Sequence, residues 1–320
     1  MTTTEPSKNF SHWSDYWSTG ALTSLPQDFV FNYDGEVAEF WQRQFGELSP
    51  GAQVLDICTG NAPIALLAAE WSAAQTADLK ITAIDAAQPD PAQIARRGPQ
   101  VAALLEIIEL KGNTEVESLP FDDQWFDLIT SQYGLEYCNM EQAGPELARV
   151  LKPGGCLAVL AHAADTAIVE TMAAESSDYA SLRDSGLFKV LRSWESGQLA
   201  DPDLPRRLEP LLRRLASQAQ RAGASPLLGQ VVQSMAGLIR LPAAQRRQQR
   251  SAVGGFRRQL EAGQARLDDM LRVNRLVAEN PDWDRRLADA GLIRREEGDL
   301  IYRGQHPMGH FVLWQKPVAK

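Results

Sequence analysis

The sequence predicts an α/β protein: a doubly wound, Rossmann-like, mostly parallel sheet with an antiparallel C-terminal strand, joined by N-terminal helices and an α-helical insertion. Three observations carry that prediction. Short apolar runs alternate with helical spacing from Val54 to His162. The strand signal then vanishes for about 120 residues, and it returns only near the C-terminal end.

Taken in order, residues 10–50 hold "HWSDYW", "SLPQDFVFNYDG" and "VAEFWQRQF", aromatic stretches broken by Pro26 and Gly35, which fit short helices and a loop. Strands are expected at 54–58, 80–85, 105–110, 126–131 and 156–162, with helices at 62–74, 91–103 and 141–151. Strands of that length separated by helices indicate βαβ units and a parallel sheet covered on both faces. After Asp165, "LEPLLRRLASQAQRA" and "FRRQLEAGQARLDDMLRVNRLVAE" are amphipathic; in the second, Phe256, Leu260, Leu267, Met270, Asn274 and Val277 share one stripe. "GLIRREEGDLIYRG" and "GHFVLWQKP" read as an antiparallel pair closing the sheet edge. The expected divisions are an aromatic segment over 1–50, a nucleotide-binding core over 51–165, a helical insertion over 166–282 and closing strands over 283–320.

With 320 residues, 44% of them hydrophobic, the chain can bury a full core. No apolar run is long enough for a membrane span, and the start "MTTTEPSKNFSHWSDYW" has no signal-peptide pattern, so a cytoplasmic location is expected. Three scattered cysteines, Cys58, Cys138 and Cys156, suit neither a disulfide framework nor a metal site. Net charge is −9, yet residues 201–280 hold fourteen arginines, no lysine and seven acids, +7 against −16 for the remainder. That asymmetry marks a separate unit.

In a doubly wound sheet the ligand lies beyond the carboxyl ends of the strands, closest to the first strand–turn–helix. Here that stretch is "VLDICTGNAPIALLAAE", residues 54–70. A dinucleotide would want three glycines and backbone donors for its pyrophosphate. The turn has one glycine, Gly60, and Pro63 removes a donor where a phosphate would need it. A nucleoside cofactor without phosphate fits better. Asp85 ends the second strand 25 residues after Gly60, where a carboxylate can accept both ribose hydroxyls.

Three further blocks follow in order: Asp85 itself, "GNTEVESLPFDDQWFDLITSQYGLEY" and "ELARVLKPGGCLAVL". With "VLDICTGNA" they resemble the class I S-adenosylmethionine-dependent methyltransferases over about residues 50–163, closest to the broad group of ubiquinone and menaquinone C-methyltransferases. The resemblance implies S-adenosyl-L-methionine as cofactor and a methyltransferase activity. It covers Asp56 and Gly60; Cys58 and Ala62 stand where glycines are common, and both are small. It implies Asn113 and Thr114, or Glu115 in a slipped register, near the adenine, and Ser131, Gln132 and Tyr133 beside the methyl donor.

Methyl transfer from a sulfonium needs alignment, exclusion of water and sometimes a base. Base candidates on the rim are Glu136 after strand four, His162 after strand five, and His12, Asp15 and Tyr16 in the N-terminal segment. Glu136, His162 and Tyr133 are the expected catalytic set. Trp13 and Trp17 share a helix face that either packs or serves as a lid, and Tyr33 with Asp34 could close the pocket. The arginine-rich insertion could cap a small-molecule acceptor, bind RNA or protein as a substrate, or form a homodimer. The cap over a small acceptor is preferred, because no aromatics interleave with the arginines and most of the chain is acidic. Arg246, Arg247 and Arg250 are the residues through which an RNA role would be tested. A non-catalytic cofactor-binding or scaffold protein stands as the third class, supported by Cys58 and Ala62.

Overall fold

The computed structural model describes residues 10–25, 29, 31–162, 166–221 and 225–318. It divides into two compact units, Met1–Ala164 with Val273–Lys320, and Asp165–Arg272. The first opens with helices α1 (Ser11–Trp17) and α2 (Gly35–Gly46), followed by β1 (Gln53–Ile57), α3 (Pro63–Gln75) and β2 (Lys80–Ile84). Then come α4 (Pro91–Ala95), α5 (Pro99–Leu105), β3 (Ile108–Lys111), β4 (Phe126–Gln132), α6 (Met140–Val150) and β5 (Leu151–Ala161). The second unit holds α7 (Thr166–Asp184), α8 (Leu187–Glu195), α9 (Leu204–Ala219), α10 (Pro226–Arg240), α11 (Ala243–Gln248) and α12 (Arg250–Glu279), whose end passes back into the first. Helix α13 (Arg285–Asp289) and strands β6 (Ile293–Tyr302) and β7 (His306–Gln315) complete the chain.

The seven strands form one sheet in the order β3-β2-β1-β4-β5-β7-β6. The first five are parallel, and β7 runs antiparallel to both β5 and β6. The expected fold class is therefore the observed one. Its order reverses at β1, which sends β2 to one side and β4 to the other and opens a crevice at their carboxyl ends.

Side-chain alternation divides β1 between two cores. Val54 packs with Val37, Trp41, Phe45 and Leu128 on one face, whereas Leu55 and Ile57 pack with Ile129, Leu147 and Trp314 on the other. Both faces are covered, so the strands are apolar almost throughout and Asp56 stands out as the buried polar residue within β1. Arg149, at the end of α6, donates to the carbonyls of Leu119 (2.9 Å) and Phe121 (2.7 Å). That clamp ties the "LPF" segment to the "ELARVLKPGG" segment.

Three elements depart from expectation. The strand expected at 105–110 is Ile108–Lys111, because Leu104 and Leu105 end α5 and pack on the core from there. The single helix expected at 91–103 is two, broken at Gly98, whose φ of 149° and position before Pro99 both oppose helix. Strand β5 also starts earlier than expected, at Leu151, which pairs with Phe126.

The second unit is helical with its own core around Leu182, Leu191, Trp194, Leu208, Leu215 and Leu260. Its buried polar centre is Asp201, 4% exposed. The carboxylate accepts from Arg247 Nε (2.8 Å), Arg250 (2.6 Å) and Trp194 Nε1 (2.9 Å), and these donors, Arg247 foremost, hold its pKa down at about 2. Arg246 donates to the carbonyls of Ile239, Leu241 and Asp201. The three arginines selected from sequence for an RNA role are thus committed to holding α8, α10 and α12 together. Replacing Arg246, Arg247 and Arg250 with glutamine is expected to strand buried carbonyls and a carboxylate. The helical signal should then melt at least roughly 5 °C earlier by circular dichroism, and an unchanged melt would contradict this arrangement.

Candidate active site

The tips of β1 and β2 are tied by one carboxylate. Asp85 accepts the Gly60 N–H on Oδ2 and the Ala87 N–H on Oδ1, each at 2.7 Å. Burial outweighs both bonds and pushes its pKa up to about 6. Gly60 has φ +55°, and a Cβ there would lie 2.4 Å from the ring of Trp17, so the turn requires glycine for conformation and for space. Ala62 (φ +64°) and Cys58 (φ +52°) bracket the same turn in left-handed conformations. Thr114 N–H donates to the Asp85 carbonyl (2.9 Å), and Asn113 Nδ2 to Gln88 Oε1 (2.6 Å), which seats the loop after β3 against the end of β2. Glu115 is exposed in a cleft it shares with Glu117, Glu141 and Glu146.

Asp56 faces away from water. Its carboxylate accepts from Thr130 Oγ1 (2.7 Å) on the paired residue of β4, and from Thr59 Oγ1. Burial again dominates, raising its pKa to about 6. The Sγ atoms of Cys58 and Cys138 stand 3.7 Å apart, and that contact together with burial pushes the Cys58 thiol well up. A Cβ on Gly134 would lie 2.3 Å from Cys58 Cβ, so the turn after β4 must be glycine for β1 and β4 to approach there.

Beyond β4, Ser131 Oγ accepts the Leu135 N–H (3.1 Å) and shapes the turn. Gln132 Oε1 accepts from Trp41 Nε1 (2.6 Å), while its Nε2 is buried without a partner. Glu136, 1% exposed, accepts on Oε1 both the N–H of His162 (3.0 Å) and its Nδ1 (2.5 Å); its Oε2 is buried without a partner. The His162 ring lies 4.9 Å from the Tyr133 ring and 5.9 Å from that of Tyr137. Tyr133 donates its hydroxyl to the Met308 carbonyl, and burial keeps its phenol protonated well above the ordinary range. Two of the three expected catalytic residues are therefore a hydrogen-bonded pair, and the third is their aromatic neighbour.

The N-terminal segment crosses the same crevice. Asn61, fully buried, donates to the carbonyls of Trp17 (2.9 Å) and Ala21 (2.7 Å), and Ser14 Oγ accepts the Gln88 N–H (3.0 Å). Trp13 packs edge-on against Tyr137 at 5.7 Å. Of the other rim candidates, Tyr16 donates to the Thr23 carbonyl, His12 packs beside Trp13, and Asp15 is exposed. Tyr33, pushed by burial up to about 12, contacts Ser24 Oγ, and Asp34 accepts from Tyr302. Sequence reasoning missed Asn61, Thr59 and Thr130. Asn61 lies within the quoted turn and carried a readable signal, a polar side chain between Gly60 and a helix start. Among the described residues no group of three His, Cys, Asp or Glu could hold a metal, and no helix is long and apolar enough to cross a membrane.

Residues 36–182 match the model of the ubiE/COQ5 methyltransferase family. The chain is similar to a demethylmenaquinone methyltransferase of Mycolicibacterium gilvum, 33% identical over 149 residues that are 45% of this chain and 54% of that protein. It is also similar to a 2-phytyl-1,4-naphtoquinone methyltransferase of Synechocystis, 35% identical over 114 residues, 35% of this chain and 46% of the other. The chain spans about half the length of these relatives. Among solved structures, the YcgJ protein of Bacillus subtilis shares 23% identity over 44% of this chain and 57% of its own, with a TM-score of 0.34. The resemblance read from the ordered blocks is borne out by the family model and the two methyltransferase relatives.

The buried state of Asp56 makes a pH-dependent prediction. In the unfolded chain its carboxyl ionises near 3.8, but in the folded one only near 6. Stability is thus lost as pH rises from 4 to 6 and the folded site is forced to release its proton. Asp56→Asn lacks that ionisation. Relative to wild type, the variant should gain about 2 kcal/mol between pH 4 and pH 7 in urea unfolding. A difference that stays constant with pH would contradict this assignment.

Proposed function

We propose, on the premise that residues 36–182 carry the pattern of the ubiE/COQ5 methyltransferase family, that this chain is an S-adenosyl-L-methionine-dependent methyltransferase acting on a small-molecule acceptor. The acceptor class we assign is a reduced, hydroxylated naphthoquinone-type ring, methylated on a ring carbon. The observation that carries the reading is the pairing of Asp85 with the Gly60 turn, one strand away from the Glu136–His162 pair.

The donors and acceptors fit such a cofactor. Each Asp85 oxygen holds one backbone N–H and retains a lone pair with which it would take a ribose hydroxyl. The helix after the turn begins with Pro63, which offers no donor to a phosphate. The orphaned Gln132 Nε2 and Glu136 Oε2 are buried polar atoms that a bound amino-acid tail or acceptor hydroxyl would satisfy. When bound, the sulfonium supplies a methyl group already activated by its positive charge.

The chain's own part is to orient the acceptor and move a proton. Glu136 Oε1 already accepts the His162 backbone N–H, so it is the acceptor from Nδ1 as well, and the imidazole keeps Nε2 unprotonated to act as base. Taking a hydroxyl proton from an electron-rich ring raises the nucleophilicity of the neighbouring carbon; once that carbon carries the methyl group, its ring hydrogen leaves as a proton and the hydroxylated aromatic ring is restored. Tyr133, Tyr137 and Trp13 surround the pair with aromatic faces suited to a flat ring. The two relatives, named as a demethylmenaquinone methyltransferase and a 2-phytyl-1,4-naphtoquinone methyltransferase, support the same acceptor class.

Two substitutions test this reading. His162→Asn should lower kcat by about 10²–10⁴-fold while leaving the affinity for S-adenosylmethionine intact, measured by methyl-labelled transfer to a short-chain 1,4-naphthohydroquinone. Label delivered instead to RNA or protein, or turnover unaffected by the change, would refute it. Asp85→Asn keeps one backbone bond and removes the charge, so cofactor affinity should fall at least about tenfold in a folded protein. Wild-type affinity by calorimetry would remove Asp85 from the cofactor site.

A further inference from the structure

Two groups of arginines stand out in the helical unit. One set is consumed internally: Arg247 and Arg250 by Asp201, Arg257 by Glu195 and Glu261, Arg192 by Glu261 and Arg272 by Asp269. The other lies along α9. Leu204, Leu208, Leu212 and Leu215 turn that helix's apolar face into the unit's core. Arg206, Arg207, Arg213, Arg214 and, just past its end, Arg221 are exposed on the opposite face. Among the described residues none of these five makes an ion pair, and Glu209 is the one acid among them.

Such a face is costly on its own. Arg206 and Arg213 are seven residues apart, as are Arg207 and Arg214, so like charges recur along two turns with Glu209 as the one acid spaced between them. The row from 206 to 221 spans about 22 Å at helical rise. It holds guanidinium groups and no lysine, and a guanidinium grips a phosphate through two parallel N–H bonds. The chain as a whole carries −9, so a polyanion would be repelled elsewhere and held here.

We propose that this face of α9 docks the protein on an anionic lipid surface through the phosphates of its headgroups. The other exposed residues of the face are Glu209, Pro210, Ser217 and Gln220, with no aromatic ring to stack on bases, which disfavours single-stranded nucleic acid. The choice of a bilayer rests also on the acceptor class proposed above: the phytyl group in the name of one relative's substrate is a hydrocarbon chain, and such an acceptor partitions into lipid. Each guanidinium near an anionic surface should strengthen binding about fivefold.

The test is cosedimentation of the full chain with vesicles of phosphatidylcholine alone and of phosphatidylcholine with phosphatidylglycerol, over a range of salt. The wild type should bind only the anionic vesicles, and less as salt rises. Replacing Arg206, Arg207, Arg213 and Arg214 with glutamine should weaken that binding several hundredfold, whereas four lysines should keep most of it. Both variants should keep wild-type helicity and wild-type turnover of the short-chain acceptor. No binding of the wild type to anionic vesicles at low salt, equal binding by the glutamine variant, or tighter arginine-dependent binding to RNA or an acidic protein would overturn the proposal. Vesicle binding without methyl transfer would refute the proposed function alone; transfer without vesicle binding would refute the docking surface alone.

Discussion

The Asp85 carboxylate, held between the N–H groups of Gly60 and Ala87, is the constraint on which the rest of the crevice depends. It joins the tips of adjacent parallel strands at the point where strand order reverses. It fixes the left-handed turn on which Trp17 lies, and Trp17 in turn brings α1 across the crevice, secured by Asn61. Keeping a carboxylate there carries a desolvation penalty, as its raised pKa shows. Under the proposed function, the paired hydroxyls of a bound nucleoside would offset that penalty.

The same logic separates Asp85 from Asp56. Both are buried carboxylates with pKa values near 6, but Asp56 is paired with threonine hydroxyls and sits inside a strand. Its work is to couple β1 to β4. The partners of Asp85 are backbone donors at strand ends, where bound molecules collect. Position along the strand, more than charge or burial, sets the two carboxylates apart.

Much of the fold was legible in the sequence, because parallel strands covered on both faces must be apolar runs punctuated by turns, and all five overlap their expected places, although β3 starts three residues late and β5 five residues early. β3 was misplaced because the leucines ending α5 are as apolar as a strand. The candidate pair Glu136 and His162 was legible only as two separate rim residues. Their contact follows from register: Gln132 pairs with Leu160, so the residues just past the two strand ends become neighbours. The fates of the arginines were not legible at all. Arg246, Arg247 and Arg250 look as solvated in sequence as Arg206 and Arg213, and only the position of Asp201 within the helical core tells them apart.

The central claim is that the Gly60–Asp85 crevice takes a nucleoside without phosphates. Isothermal titration of the wild-type chain at neutral pH with S-adenosylmethionine, and in parallel with a nicotinamide dinucleotide, tests it directly. Saturable binding of S-adenosylmethionine at one site per chain, with no heat from the dinucleotide, is the expected result. Binding of the dinucleotide with no response to S-adenosylmethionine would contradict it.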